Sequence, residues 1–284
     1  MLLRFFLVAL FFSTPSFALP SFQAIEQSAQ LSALAYVDGD ASAALSTMGH
    51  KLVRQAILPG VEVSYFLSTH RGEQFLTVRG TANLQNALVD LDIQLKQDEK
   101  IGIAAHQGFA NAAEAILKDA KPYLNKAQSI RTTGHSLGGA AAVLLAMYLQ
   151  KEGYTLGQLI TFGQPKVTNV GGANAFSHLT LLRVVTTKDI VPLVPPLSPM
   201  QITNLDIYWH LGEELILLEG AKYSLTQGVK SMLRATKFVS SIPNESNLEA
   251  HKMQTYLSLI AAKLSESKEI PYQSDFSMFG FGGN

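Results

Sequence analysis

Ser129 to Gln150 reads SIRTTGHSLGGAAAVLLAMYLQ. A short β-branched run, Ser129 to Thr133, leads into Gly134-His135-Ser136-Leu137-Gly138, and an Ala/Leu-rich helix from Leu137 to Gln150 follows directly. The pentapeptide fits G-x-S-x-G. A strand before it and a helix after it give the setting in which that pattern makes a sharp turn and presents a serine hydroxyl. Gly134 and Gly138 remove Cβ atoms that would collide in such a turn. The helix start behind Ser136 offers unpaired N–H groups and a positive dipole end to a developing anion. A glycine-rich connection with an idle serine is the plainer alternative. The flanking strand and helix favour a nucleophile.

Working outward, the same alternation recurs. Val61 to Leu67 and Phe75 to Val78 read as strands, the second ended by Arg79-Gly80-Thr81. Phe109 to Leu124 carries Ala and Leu at helical spacing. Leu159 to Phe162 is a strand closed by Gly163-Gln164-Pro165, and Leu181 to Thr186 is the next. Ala24 to Tyr36 reads as an amphipathic helix packed on the body. Strands alternating with helices predict an α/β fold with a mostly parallel sheet. After Leu215 the pattern changes. Lys222 to Ser241 reads as a basic amphipathic helix bearing Leu225, Val229, Met232, Leu233 and Phe238, stopped by Ile242-Pro243. A final helix spans about Leu248 to Leu264. The Gly/Phe-rich tail, residues 276–284, is given no role.

The chain has 284 residues, 47% hydrophobic and 15% charged, which is enough apolar material for one substantial core. Lys+Arg and Asp+Glu both number 22, with no basic stripe, which argues against a nucleic-acid partner. With no cysteine, disulfides, thiol catalysis and thiolate metal sites are excluded. Arg4, the apolar run Phe5 to Phe12, and Ser16-Phe17-Ala18 are laid out as a secretory signal peptide cut after Ala18. The run is too short to span a bilayer, which takes about 20 apolar residues. The expectation is export to the periplasm or medium, with residues 1–18 removed.

A serine hydroxyl needs a base, and the base an orienting carboxylate. For this elbow the chain order is Ser, acid, His. Asp189, Asp206 and Asp275 follow Ser136. Asp189 falls just past the strand Leu181 to Thr186, at the sheet edge where α/β proteins build sites. Asp275 comes after the last candidate base. His178 precedes Asp189 and fails the order. His210 and His251 both satisfy it, and order alone does not separate them.

Five blocks in sequence resemble the class 3 lipases, the fungal-lipase-like branch of the α/β-hydrolases. They are Val78-Arg79-Gly80-Thr81, Ala105-His106-Gln107-Gly108-Phe109, Thr133 to Gly139, Thr161 to Pro165, and Asp189-Ile190-Val191-Pro192. The likeness runs from about Val61 to Tyr256. It implies an α/β-hydrolase fold over a single catalytic domain, residues 19–284, in which the helix read at 222–243 is an insert. It also implies that His210-Leu211-Gly212-Glu213-Glu214 is structural and that His251, opening an H-x-M-x-x-Y-like segment, is the base. The catalytic set is then Ser136, Asp189 and His251. Leu137 and Thr81 become the oxyanion-hole donors, and no metal or organic cofactor is required.

Leu84, Ala87, Leu88 and Leu91 fall on one apolar helical face. By resemblance this stretch is a lid whose apolar side meets substrate or a lipid surface, with Leu84, Leu88 and Leu91 as its contacts. Ala87 stands where the family often has Trp, which weakens the case for interfacial activation. Asp90 matches an acidic position after the lid. The basic helix at 222–243 reads as an ordinary helix with a solvated face, or as one lying on an anionic membrane. The expected activity is hydrolysis of lipid esters, first acylglycerols, then phospholipids at the A1 position or lysophospholipids, then polar esters such as feruloyl esters. A hydrolase fold kept only for binding is the alternative from another class. Oligomeric state is not legible.

Overall fold

A computed structural model describes residues 19–61, 63–81, 95–195, 207–226, 228, 231 and 245–272. In the first stretch, α1 (Phe22–Leu34) is capped by the Ser21 hydroxyl, which accepts from the Ala24 N–H. Then come α2 (Ser42–Thr47), β1 (Lys51–Leu58), β2 (Val63–His70) and β3 (Glu73–Val78). A short pair, β4 (Leu95–Asp98) and β5 (Ile103–His106), leads into α3 (Gln107–Ala120). Next are β6 (Ile130–His135), α4 (Leu137–Lys151), β7 (Leu159–Phe162), β8 (Thr168–Asn169), α5 (Val170–Ala175) and β9 (Leu181–Thr186). The described chain ends with β10 (Tyr208–Trp209), β11 (Glu213–Leu217), β12 (Lys222–Thr226), α6 (Glu245–His251), α7 (Met253–Ala261) and β13 (Lys268–Glu269).

Nine strands form one sheet in the order β1-β2-β3-β6-β7-β9-β11-β12-β13. Its centre, β3 to β11, is parallel throughout, while β1, β2 and β12 join antiparallel to their inner neighbours. Four short strands make a second sheet, β10-β8-β5-β4.

The sequence sorts the two faces. Leu159 and Leu181 point into the layer holding α3 and α4, while Ile160, Phe162, Leu182 and Val184 point into the layer holding α1 and α7. Alternation along each strand therefore serves two cores, as a sheet covered on both faces requires. In α4 every residue from Gly138 to Leu149 is buried, so this helix is apolar on all sides rather than amphipathic. Each of its leucines contributes roughly 1.5–3 kcal/mol of burial. On the other face Phe22, Ile25 and Ala29 of α1 meet Met253, Tyr256 and Ile260 of α7. That contact holds the helix behind His251 against the sheet.

Three expectations need correction or restriction. Lys222 to Thr226, expected as the start of a helix, is strand β12, paired on both sides. Most of the remaining insert, 229–230 and 232–243, lies outside the described residues. The helix expected over Leu248 to Leu264 is two helices broken at Lys252, whose backbone is extended at φ −62°, ψ 138°. Residues 1–18, the segment with Leu84, Ala87, Leu88, Asp90 and Leu91, and the tail 276–284 also lie outside the described residues.

Candidate active site

Ser136 sits between β6 and α4 with φ 59° and ψ −133°, a left-handed conformation that a residue with a Cβ rarely adopts. Three close approaches hold it there. Its N–H donates to the Phe162 carbonyl at 2.8 Å. A Cβ on Gly138 would fall 2.4 Å from the Val78 carbonyl oxygen, so the helix start is pressed onto the end of β3. A Cβ on Gly134 would fall 2.6 Å from Gly138 itself. Both glycines of the pentapeptide are thus required by space, and the serine carries the backbone strain.

Leu137 opens α4, and its N–H is among the first four that no carbonyl of the helix can accept. Thr81 is exposed and follows Gly80, at which a Cβ would lie 3.1 Å from Cβ of Ser136 and 2.5 Å from the His135 carbonyl oxygen. The Arg79-Gly80-Thr81 loop therefore runs directly alongside the elbow.

Asp189 is fully buried three residues beyond β9. Its Oδ1 accepts from the Val191 N–H at 2.9 Å. Its Oδ2 accepts from Nδ1 of His251 at 2.8 Å and from the Tyr256 hydroxyl at 2.5 Å. Two further bonds tie the same loop to α6: Thr186 Oγ1 donates to the Ala250 carbonyl, and Asn247 Nδ2 to the Lys188 carbonyl. Gly163 fills the remaining side. Its φ is +56°, and a Cβ there would lie 2.8 Å from both Asp189 Oδ2 and His251 Cε1.

His251 Nδ1 faces a carboxylate and carries a proton, so in neutral imidazole Nε2 is the free base. Ser136 Oγ and His251 Nε2 are both buried, and neither has a hydrogen-bond partner among the described residues. An unpaired nucleophile and base are common in uncomplexed hydrolases, where this bond tightens on substrate binding. The two polar atoms left over in this cluster are the pair an acyl-transfer reaction would use.

His210, the other base candidate, has its Nε2 2.6 Å from the Pro192 carbonyl, so it braces the loop beyond Asp189. Glu214 of the same segment binds Arg183 of β9 at 2.9 Å, both side chains 1% exposed. The segment is built into the scaffold, as the resemblance implies.

Sequence reasoning missed two residues of the cluster. Tyr36 Oη and His135 Nδ1 are 2.8 Å apart, and His135 Nε2 is 2.7 Å from the His251 carbonyl. Burial first, then the neighbouring His251 ring, push the His135 pKa well below the usual imidazole value. Burial raises that of Tyr36. His135 occupies the variable x of the pentapeptide, and nothing in the sequence marks Tyr36.

A central parallel sheet with helices on both faces, and a strained serine between a strand and a buried helix, are the architecture of the α/β-hydrolase fold. Residues 75–198 match the model of the lipase (class 3) family. The match includes Ser136, Asp189 and Thr81 and ends before His251. The chain is 34% identical over 136 residues to a secreted mono- and diacylglycerol lipase of Fusarium solani, covering 45% of this chain and 40% of that protein. It is 30% identical over 135 residues to a chloroplastic phospholipase A1 of Arabidopsis thaliana, covering 42% and 19%. It thus spans well under half the length of these relatives. The crystal structure of a lipase from Rhizopus microsporus var. chinensis superposes with a TM-score of 0.60 at 25% identity, covering 69% of this chain and 74% of that one.

Proposed function

We propose that this protein is a serine ester hydrolase acting on lipid esters, an acylglycerol lipase first of all. The observation that carries the reading is the buried cluster in which Asp189 holds the Nδ1 proton of His251, while His251 Nε2 and the hydroxyl of the strained Ser136 both lack a partner among the described residues.

The reaction follows from that tautomer. Ser136 Oγ attacks the ester carbonyl carbon while His251 Nε2 takes the hydroxyl proton. Asp189 stabilises the imidazolium that results and holds its plane. The carbonyl oxygen becomes an oxyanion, accepted by the N–H of Leu137 and by Thr81, each donor being worth roughly 3 kcal/mol in the transition state. His251 then protonates the departing alcohol, and water, deprotonated by the same Nε2, releases the acyl group from Ser136.

Phospholipid is the second reading, supported by the phospholipase A1 among the relatives. Export through the leader at residues 1–18 fits either substrate, as does a lid at Leu84, Leu88 and Leu91. The test is hydrolysis of emulsified di- and triacylglycerol, phosphatidylcholine vesicles and short p-nitrophenyl esters by the purified full chain. Acylglycerols are expected to turn over fastest. Turnover of soluble short esters alone would remove the lipid assignment.

A further inference from the structure

The break between α6 and α7 leaves a carbonyl to be satisfied. His251 ends α6, and the N–H groups of Thr255 and Tyr256 both go to Lys252 rather than to His251. The His251 carbonyl is instead met by Nε2 of His135 at 2.7 Å. A carbonyl only accepts, so Nε2 of His135 carries the proton. His135 is buried and its ring centroid lies 4.3 Å from that of His251, which disfavours a second proton on it. Its Nδ1 is then an acceptor, and the Tyr36 hydroxyl donates to it at 2.8 Å. Tyr36 in turn touches the loop before Thr81: the Gly80 N–H interacts with its oxygen, and a Cβ on Gly80 would fall 2.2 Å from it. The Arg79 guanidinium lies over the Tyr36 ring, 5.9 Å from its centroid.

We infer that Tyr36 and His135 are positioning residues that fix the backbone of the catalytic His251 relative to Ser136 and to the Arg79-Gly80-Thr81 loop. The inference rests on the ester-hydrolase reading above. Its physical content is a rigid strut. His135 is covalently adjacent to the nucleophile, and its ring reaches the main chain of the base. The distance between the serine and the base is thereby set by one planar side chain with both nitrogens engaged. A histidine suits the x position because a single rigid ring supplies a donor and an acceptor on opposite edges. Neutrality matters as well. Protonated His135 would lose the acceptor edge that Tyr36 fills and would set a like charge beside the imidazolium formed on His251 during turnover.

The test compares His135→Leu, His135→Gln, Tyr36→Phe and the double variant Tyr36→Phe/His135→Leu in the full chain. The readouts are kcat and KM on a soluble p-nitrophenyl ester, the melting temperature, and the downfield NMR proton of the His251–Asp189 bond. His135→Leu should lower kcat by about 30-fold or more, the scale expected when reacting groups are displaced by a fraction of an ångström, with KM within about twofold. His135→Gln keeps an N–H for the His251 carbonyl and should recover most of that loss. Tyr36→Phe should cost about 5-fold, and the double variant should be no worse than His135→Leu, because Tyr36 acts through His135. The downfield proton should weaken in His135→Leu and return in His135→Gln. A folded His135→Leu protein with wild-type kcat and an unchanged downfield proton would overturn the inference. So would losses that track melting temperature alone without rescue by Gln. If the wild-type chain hydrolyses no ester, the functional reading fails, while the downfield proton still reports whether His135 positions His251.

Discussion

The Nδ1 proton of His251 bridges to Oδ2 of Asp189 at 2.8 Å, joining two residues 62 positions apart in the chain. The same carboxylate oxygen takes the Tyr256 hydroxyl at 2.5 Å, and its other oxygen takes the Val191 N–H. The Asp189 carboxylate is therefore held by three donors in a buried site. Such a site orients the imidazole and loses little to reorganisation when charge develops.

Gly163 is the neighbour that this geometry tolerates least changed. Gly163→Ala introduces a Cβ about 2.8 Å from Asp189 Oδ2 and His251 Cε1, at a φ of +56° that alanine rarely adopts. Displacing the pair should lower kcat/KM on a p-nitrophenyl ester by about 100-fold. Circular dichroism of the purified variant separates that loss from unfolding. Wild-type activity in Gly163→Ala would mean that the pair can move without consequence.

Much of this site is legible in the amino-acid sequence. The strand, the pentapeptide and the all-apolar helix after it place Ser136 at a turn, because only a glycine-flanked serine fits between β6 and a helix packed onto Val78. Asp189 is legible from its place past β9. Chain order does not choose between His210 and His251, since both follow Asp189; the resemblance alone points to His251. What separates them is three-dimensional: the first donates to Pro192 and the second to Asp189. Tyr36 is invisible for the same reason, since its role comes from α1 packing across the sheet onto the elbow. The start of the insert departs from its sequence pattern for a different cause. Leu225 and the apolar positions after it suit a helical period, but over Lys222 to Thr226 pairing with β11 and β13 decides. Strand β1 gives little signal because its alternation places mostly half-exposed residues on an edge, with Ile57 77% exposed.

The ion pair between Arg183 and Glu214 lies inside the protein, with Ser231 Oγ donating to the same Glu214 oxygen and accepting from Arg183. Glu214→Ala removes the Glu214 carboxylate from beside a buried guanidinium. The expected cost is about 3–5 kcal/mol, read as a lower midpoint in urea unfolding. A loss below about 1 kcal/mol would show that the pair contributes no more than surface ion pairs do.

His50 makes stability depend on acid. It is buried between Gln27 and Ser68, stacked on His70 at 4.6 Å, and burial followed by the His70 charge lowers its pKa to about 4 from 6.5. The unfolded chain then binds more protons than the folded one between these values. Stability from His50 is present in full above pH 6.5 and is lost as pH falls toward 4. The melting temperature should fall on acidification through this window, and less steeply in His50→Asn. Equal slopes in the two proteins would place the acid sensitivity elsewhere.

Covalent labelling with a fluorophosphonate reads most directly whether Ser136 is the nucleophile. The wild-type chain should be labelled at Ser136 alone, as mapped by peptide mass, and folded Ser136→Ala should take no label. Undiminished labelling of Ser136→Ala, or none of the folded wild-type protein, would contradict the assignment.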